Sequence, residues 1–261
     1  MDLQLKDKLA LVSGSTAGIG FAIAEALAAE GARVIVNGRT EKRVEEAIAK
    51  IKASGARGKL DGMAADLGSA EGVRATVKQF PEVDILINNV GIFDFKPFEE
   101  ISDAEWMHVF EINVMSGVRL SRHYLPGMKQ RNWGRIVFIS SESAVHIPPD
   151  GIQYGMTKTA QLAVARGLAE TTAETAVTVN SVLVGPTMSE GVERMLGNPS
   201  PEKRAEVERE FFRTARPTSL LRRFADAKEI AAMVAFLASP LSSATNGAAI
   251  RAEGGLLQTI V

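Results

Sequence analysis

The 261-residue sequence predicts an α/β fold: a doubly wound parallel sheet of about seven strands with helices on both faces, in one domain spanning residues 1–261. Three observations carry this expectation. Short β-branched runs alternate with longer, Ala-rich stretches of helical period, which is the rhythm of βαβ units. The runs are apolar on both faces, so each needs helices on either side of it. With 46% hydrophobic and 23% charged side chains, a chain of this length can bury a substantial core.

In chain order the strand candidates are LALVS (9–13), RVIVN (33–37), KLDGMAAD (59–66), DILINN (84–89), RIVFIS (135–140), VTVNSVLV (177–184) and AAIRA (248–252). The third has the poorest pattern and is placed mainly by the rhythm of its neighbours. FAIAEALAAE follows the first strand with helical spacing, and EKRVEEAIAKIKA follows the second, with Thr40 in position to cap it. WMHVFEINVMSGVRL reads as helix within 103–130, and a second long helix is expected over 152–174. The rhythm fails at residues 186–220, where PTMSEGVERMLGNPSPEKRAEVEREFFRTARPTSL separates a strand from the next core helix. Connections of that length usually act as lids or binding loops, so a substrate lid is expected there.

Composition narrows the function. Thirty Lys plus Arg against 31 Asp plus Glu leave a formal charge of −1, which gives no electrostatic reason to expect nucleic acid or an anionic membrane. The absence of cysteine excludes disulfides, thiolate catalysis and Cys-based zinc sites, and fits a reducing compartment. The N-terminal MDLQLKDKLALVSG lacks the pattern of a secretory leader, and runs such as AAMVAFLA cannot span a bilayer. A cytoplasmic protein with a small-molecule substrate and no metal is the expectation.

SGSTAGIG, with Gly14, Gly18 and Gly20, joins the first strand directly to a helix. Glycines let a backbone approach a pyrophosphate, and the helix N-terminus offers free N–H groups and a positive dipole end. The alternative is a turn that serves packing alone. After the second strand comes Asn37-Gly38-Arg39-Thr40, with no carboxylate before Glu41. A carboxylate there would bond the 2′-hydroxyl of NAD, whereas Arg39 suits the 2′-phosphate of NADP; NADP is favoured over NAD.

YGMTK places Tyr154 and Lys158 four residues apart, hence on one helix face. A phenol needs about 4 kcal/mol of preferential stabilisation of its phenolate to exchange protons near pH 7, and an adjacent ammonium can contribute to that. Of Ser140 and Ser141 at the end of RIVFISS, strand alternation sends only one toward any given face.

Taken together, SGSTAGIG, NNVG (88–91), Asn113 in FEINV, Ser141 and YGMTK resemble, in order and spacing, the short-chain dehydrogenase/reductase family, with LVGPTMSEG and NGAAIRAEGG similar to its later motifs. The resemblance implies a Rossmann-like fold and an NAD(P)(H)-dependent oxidoreductase acting on a carbonyl or secondary alcohol. It selects Ser141 over Ser140 to hold the substrate oxygen, and makes Tyr154 the general acid/base. Lys158 would bond the nicotinamide ribose, and Asn113 would hold a relay water. Cofactor contacts are implied at Gly14, Ser15, Thr16, Gly18, Ile19, Gly20, Arg39, Asp66, Leu67, Asn88, Gly91, Tyr154, Lys158, Thr187 and Ser189. Relatives of this kind are commonly homotetramers or homodimers. The chain departs from the pattern at Val90, where Ala is usual, at Pro186, shifted by two positions, and at Ser189, where Thr is usual.

Phe93, Phe95, Val145, Ile147, Met188, Met195, Phe211 and Phe212 are the candidate pocket residues and suggest an apolar substrate. His146 sits in a loop beside them and reads as solvated. Two alternatives stand beside a general ketone or alcohol oxidoreductase. One is a 3-oxoacyl-thioester reductase, with Arg119, Arg122, Lys129, Arg131 and Arg135 as a carrier-protein docking run or simply a solvated helix end. The other is a cofactor-binding sensor or scaffold without turnover.

Overall fold

A computed structural model describes residues 2–260. Its sheet contains β1 (Leu9–Val12), β2 (Arg33–Gly38), β3 (Leu60–Ala64), β4 (Ile85–Asn88), β5 (Gly134–Ser141), β6 (Val177–Val184) and β7 (Ala249–Ala252). They lie in the order β3-β2-β1-β4-β5-β6-β7, every neighbouring pair parallel. All seven expected strands are present, the third shortened to five residues.

Nine α-helices flank the sheet or cap its end: α1 (Gly18–Ala29), α2 (Glu41–Ala53), α3 (Ala70–Gln79), α4 (Asp103–Phe110), α5 (Ser116–Gln130), α6 (Ile152–Glu170), α7 (Glu190–Met195), α8 (Pro201–Thr214) and α9 (Ala227–Ala238), counted among the described residues. Because successive strand residues face opposite ways, the core divides into two layers. Val12, Val34, Val36, Ile87 and Val182 pack against Ile23 and Leu27 of α1, Val44 and Ile51 of α2, and Val234 and Leu237 of α9. On the other face, Leu11, Ile35, Leu86, Ile136 and Phe138 meet Val73 of α3, Leu120, Tyr124 and Met128 of α5, and Ala165 of α6. Each large aliphatic side chain so buried contributes about 1.5–3 kcal/mol.

The helices differ from expectation in two places. The segment read as one helix is interrupted by a π turn at Glu111–Met115 between α4 and α5. The helix expected to reach 174 stops at Glu170, where the Thr171 and Thr172 hydroxyls fold back onto the carbonyls of Leu168 and Ala169 at 2.7 Å. Glu174 then takes a positive φ of 63°.

The basic run does not form a surface stripe. Arg135 is only 2% exposed. Its guanidinium donates to the carbonyls of Ser239, Gly134 and Ala176 at 3.1, 2.9 and 2.8 Å and lies over the Trp133 ring. Arg119 pairs with Glu111, and Arg131 pairs with Glu82 and donates to the Val83 carbonyl. Arg135 is therefore a tie between β5, the start of β6 and the end of α9. Arg135→Ala, which removes three hydrogen bonds, two of them buried, should lower unfolding free energy by about 2–4 kcal/mol in urea titrations.

Candidate active site

The strand order reverses between β1 and β4, and the two chains leaving those strands diverge to open a crevice at the carboxyl edge of the sheet. Ser13 bolts its two sides together. Its hydroxyl donates to the Ile87 carbonyl at 3.1 Å and accepts from the N–H groups of Asn89 and Val90 at 2.8 and 3.1 Å. Asn37, at the end of β2, accepts from Gly14 N–H at 2.9 Å and donates to the carbonyls of Met63 and Ala65 at 3.0 Å.

The glycines of SGSTAGIG have distinct roles. Gly14 and Gly18 adopt φ of +64° and +57°, a region glycine enters without strain. Gly20 allows close approach, since a Cβ there would lie 2.4 Å from the Gly14 carbonyl oxygen and 2.5 Å from Asn89 Nδ2. Like α5, α6 and α8, α1 has no side-chain cap; it begins after Ala17, directly behind the glycine loop, with no acidic residue in its first turn. Its N–H groups are left for an anion, and the cradle fits a dinucleotide pyrophosphate. Thr16 packs over Gly38, where a Cβ would come within 2.4 Å of its methyl group. Arg39 follows at the exposed rim and forms no ion pair or hydrogen bond among the described residues.

The side chains of several expected contact residues have partners of their own, which leaves the backbone as their route to a ligand. Ser15 is fully buried, its N–H donating to the Asn37 carbonyl, and its hydroxyl donating to Val12 O and accepting from Asn37 N. The Leu67 side chain belongs to the core. Asn88 turns its amide toward Ser121 of α5 at 3.2 Å, and Asn89 lines the crevice instead. Asp66 accepts from Gly68 N–H at 3.0 Å and so shapes a turn, with its carboxylate at the surface.

Ile19, Gly91, Ser141, Tyr154, Lys158, Thr187 and Ser189 converge on one cleft with a volume of about 210 Å³. Ser140 donates to the Lys158 carbonyl at 2.9 Å, on the helix side of β5, while the Ser141 hydroxyl accepts from Ser143 N–H at 3.1 Å at the strand end. Ser189 starts α7 by accepting from Val192 N–H at 3.2 Å, and its side chain abuts Gly18. Thr187 donates to the Gly185 carbonyl at 2.9 Å and bridges to Ala225.

Lys158 and Asn113 anchor the floor. The Lys158 amine donates to the Ile139 carbonyl at 2.9 Å and to Gln161 Oε1 at 3.3 Å. Asn113, inside the π turn, accepts from Ile92 N–H at 2.7 Å and donates to Ile92 O and Thr157 Oγ1 at 2.9 and 3.0 Å. Gln161 Nε2 reaches the Asn113 carbonyl at 2.6 Å, so one amide links the lysine to the π turn. Gln161 was legible as a candidate only in that it lies three residues after Lys158, on the same helix face.

Burial pushes the Lys158 amine down to about 8 from 10.5. Burial also pushes the Tyr154 phenol up to about 12; the Ser141 hydroxyl and Arg216 pull it down, and the Glu142 carboxylate adds to the rise. Within the chain alone the phenol is thus moved away from neutrality, contrary to the lowering expected from the lysine, whose amine lies 5.6 Å from the ring centroid.

Of the expected pocket residues, Phe93, Phe95, Met195 and Phe211 line the cleft, joined by Val192 and Phe224. Phe93 and Phe95 flank Tyr154, each with centroids 6.1 Å from it. Met188 is not part of the lining, Val145 and Ile147 point outward, His146 is exposed, and Phe212 packs against Phe211 and Phe224. Glu142 and Arg216 also line the cleft and carried no sequence signal, lying 74 residues apart in different elements.

The model of the family described as short chain dehydrogenase matches residues 8–197. The chain belongs to the short-chain dehydrogenase/reductase family. Family relatives include an uncharacterized oxidoreductase, YvaG, of Bacillus subtilis, 48% identical with both chains covered fully. The D-beta-hydroxybutyrate dehydrogenase of Cupriavidus necator is 32% identical over 96% of this chain and 98% of its own. Among solved structures, L-sorbose reductase from Gluconobacter frateurii, complexed with NADPH and L-sorbose, superposes with a TM-score of 0.91 at 30% identity over the whole of both chains. As a short-chain dehydrogenase/reductase, the protein is an oxidoreductase acting on CH–OH or C=O groups. No described helix is long and apolar enough to cross a membrane, and the described residues contain no cluster suited to a metal.

The buried lysine gives a stability test. Folding lowers its value from 10.5 to about 8, so between those pH values the unfolded chain binds a proton that the folded chain releases, and stability rises with pH. Below pH 8 the full penalty, about 3 kcal/mol, is present. Lys158→Met should therefore stabilise the cofactor-free protein by about 1–3 kcal/mol at pH 7, after allowing for its lost hydrogen bonds, with the gain vanishing toward pH 10.5 in urea melts.

Proposed function

We propose that the protein is an NADP(H)-dependent oxidoreductase that interconverts a ketone and a secondary alcohol, with Tyr154 as the proton carrier. The observation that carries this reading is the convergence of Tyr154, Ser141 and Lys158 on one cleft that also includes Ile19 from the first turn of α1. Bound cofactor supplies the hydride donor or acceptor and, when oxidised, a positive charge. The remaining work falls to the chain. Ser141 Oγ donates to the substrate oxygen and stabilises charge developing there. Tyr154 Oη gives its proton to that oxygen in reduction and takes one from the alcohol in oxidation. The Lys158 ammonium favours the phenolate and holds ribose hydroxyls, while Asn113 fixes the Ile92 backbone and α6 in register.

NADP is preferred to NAD on the strength of the unpaired Arg39 and the absence of an acidic residue beside Gly38. The NADPH bound by the Gluconobacter relative supports the same preference. Gly14, Thr16, Gly18, Ile19, Gly20, Gly91, Thr187 and Ser189 complete the cofactor surface, and residues 186–220, with α7 and α8, act as the substrate lid of a single domain. A 3-oxoacyl thioester finds less support, because Arg135 is buried and Arg119 and Arg131 are already paired. A sensor without turnover finds none in a cleft that retains Ser141, Tyr154 and Lys158. We assign the enzyme to the cytoplasm as a homotetramer or homodimer; a light-scattering mass of one chain, 27.9 kDa, contradicts the assembly.

Tyr154→Phe should bind NADPH normally by fluorescence titration while kcat for ketone reduction falls about 10²–10⁴-fold; undiminished kcat removes Tyr154 as the proton carrier. Arg39→Ala should raise KM for NADPH about tenfold, the loss of about 1.4 kcal/mol of phosphate binding, and leave KM for NADH unchanged.

A further inference from the structure

The cleft wall that adjoins Ser141 contains an ion pair that carbonyl chemistry at Tyr154 does not require. Arg216 Nε donates to Glu142 Oε1 at 2.8 Å, with the side chains only 12% and 4% exposed. Glu142 Oε2 accepts from the Ser143 hydroxyl at 2.8 Å. Arg216 Nη1 donates to the neighbouring Ala215 carbonyl at 2.9 Å, and Nη2 has no partner among the described residues. Both residues line the cleft with Tyr154 and Ser141, and the charges of both act on the Tyr154 phenol. Apolar side chains make up much of the rest of the lining: Phe93, Phe95, Val192, Met195, Phe211 and Phe224.

An ion pair in such a wall is a poor device for stability. Desolvating two charges offsets most of their attraction, and apolar residues of equal volume often serve as well. Its place beside Ser141 makes recognition the better explanation.

The pair presents a donor and an acceptor side by side with no net charge. A hydroxyl group can use both, accepting from Arg216 Nη2 while donating to Glu142. A carboxylate can accept from Arg216 only by standing next to Glu142, where like charges in a water-poor cleft repel. A plain ketone covers Nη2 and replaces none of the water it displaces.

We propose that Glu142 and Arg216 form a hydroxyl-recognition subsite that selects an uncharged hydroxyketone, or the corresponding diol in the oxidative direction, over plain ketones and keto acids. This inference rests on carbonyl chemistry at Tyr154. Arg216 lies two residues past the end of α8, so an occupant held by the pair also ties the segment 190–216 to the end of β5.

The test compares substrates of one carbon skeleton: 2-butanone, 1-hydroxy- and 4-hydroxy-2-butanone, and 2-oxobutanoate. Each is assayed with the full-length protein and NADPH, in wild type, Glu142→Gln and Arg216→Met. The expected result is that kcat/KM for at least one hydroxybutanone exceeds those for butanone and oxobutanoate by tenfold or more. Glu142→Gln, which leaves Arg216 uncompensated, should move the preference toward oxobutanoate by at least tenfold, and Arg216→Met should abolish the hydroxyl preference without gaining the keto acid. Equal kcat/KM across the series in wild type, or a wild-type preference for the keto acid, overturns the subsite while leaving carbonyl reduction intact, and needs no variant to fold. Absence of turnover of every carbonyl with either nicotinamide overturns the underlying reading as well.

Discussion

The site depends on the burial of one amine. Lys158 Nζ sits beneath the cleft with Ile139 O and Gln161 Oε1 as its hydrogen-bond acceptors. A buried polar group must have its partners, so this side chain ties α6 to β5, beside the bond from the Ser140 hydroxyl to the Lys158 carbonyl. Gln161 passes the constraint to the Asn113 carbonyl, and Asn113 passes it to Ile92 in the chain leaving β4. Gly91 lies against the same pair, and a Cβ there would meet Nζ at 3.4 Å and Asn113 Oδ1 at 3.5 Å, ordinary contact distances. The π turn fits this scheme: its widened backbone lets the Asn113 carbonyl accept from a neighbouring helix, a use of π geometry common at functional sites.

That arrangement leaves the proposed proton carrier incomplete by itself. Burial moves Tyr154 up and Lys158 down, each away from its charged form. The chain supplies a half-buried, rigid setting in which an added positive charge acts on the phenol with less screening than in bulk water. The glycine loop supplies the complementary half, with α1 uncapped and Ser13 and Asn37 holding the loop against both neighbouring strands. Rigid hydrogen bonding behind each surface, rather than in front of it, is the common principle of the two halves.

Much of this was legible in the sequence wherever the signal was local. The strand rhythm located all seven strands, and the i, i+4 spacing of Tyr154 and Lys158 put both on one helix face. Alternation separated Ser140 from Ser141, which indeed face different partners. What was not legible depends on distant partners. Arg135 reads as a surface cation, but its burial is made possible by carbonyls 104 and 41 residues away. Glu142 and Arg216 meet across 74 residues. Ser15 sits in a loop that suggests exposure, yet the hydrogen bonds that turn it inward come from Val12 and Asn37. The π turn leaves no mark in hydrophobic period, because one inserted residue shifts the helix face by only part of a turn.

In the proposed mechanism Tyr154 becomes a neutral-pH acid/base only when the cofactor's positive charge joins the site. The sequence makes this directly measurable, because it contains just two tyrosines, and burial raises the phenol of the second, Tyr124, as well. The decisive measurement is an ultraviolet phenolate titration of the protein with and without saturating NADP+. Neither phenol should ionise below about pH 11 in the free protein, and one should ionise several units lower in the complex, a transition lost in Tyr154→Phe. A complex in which no tyrosine ionises earlier than in the free protein would contradict it.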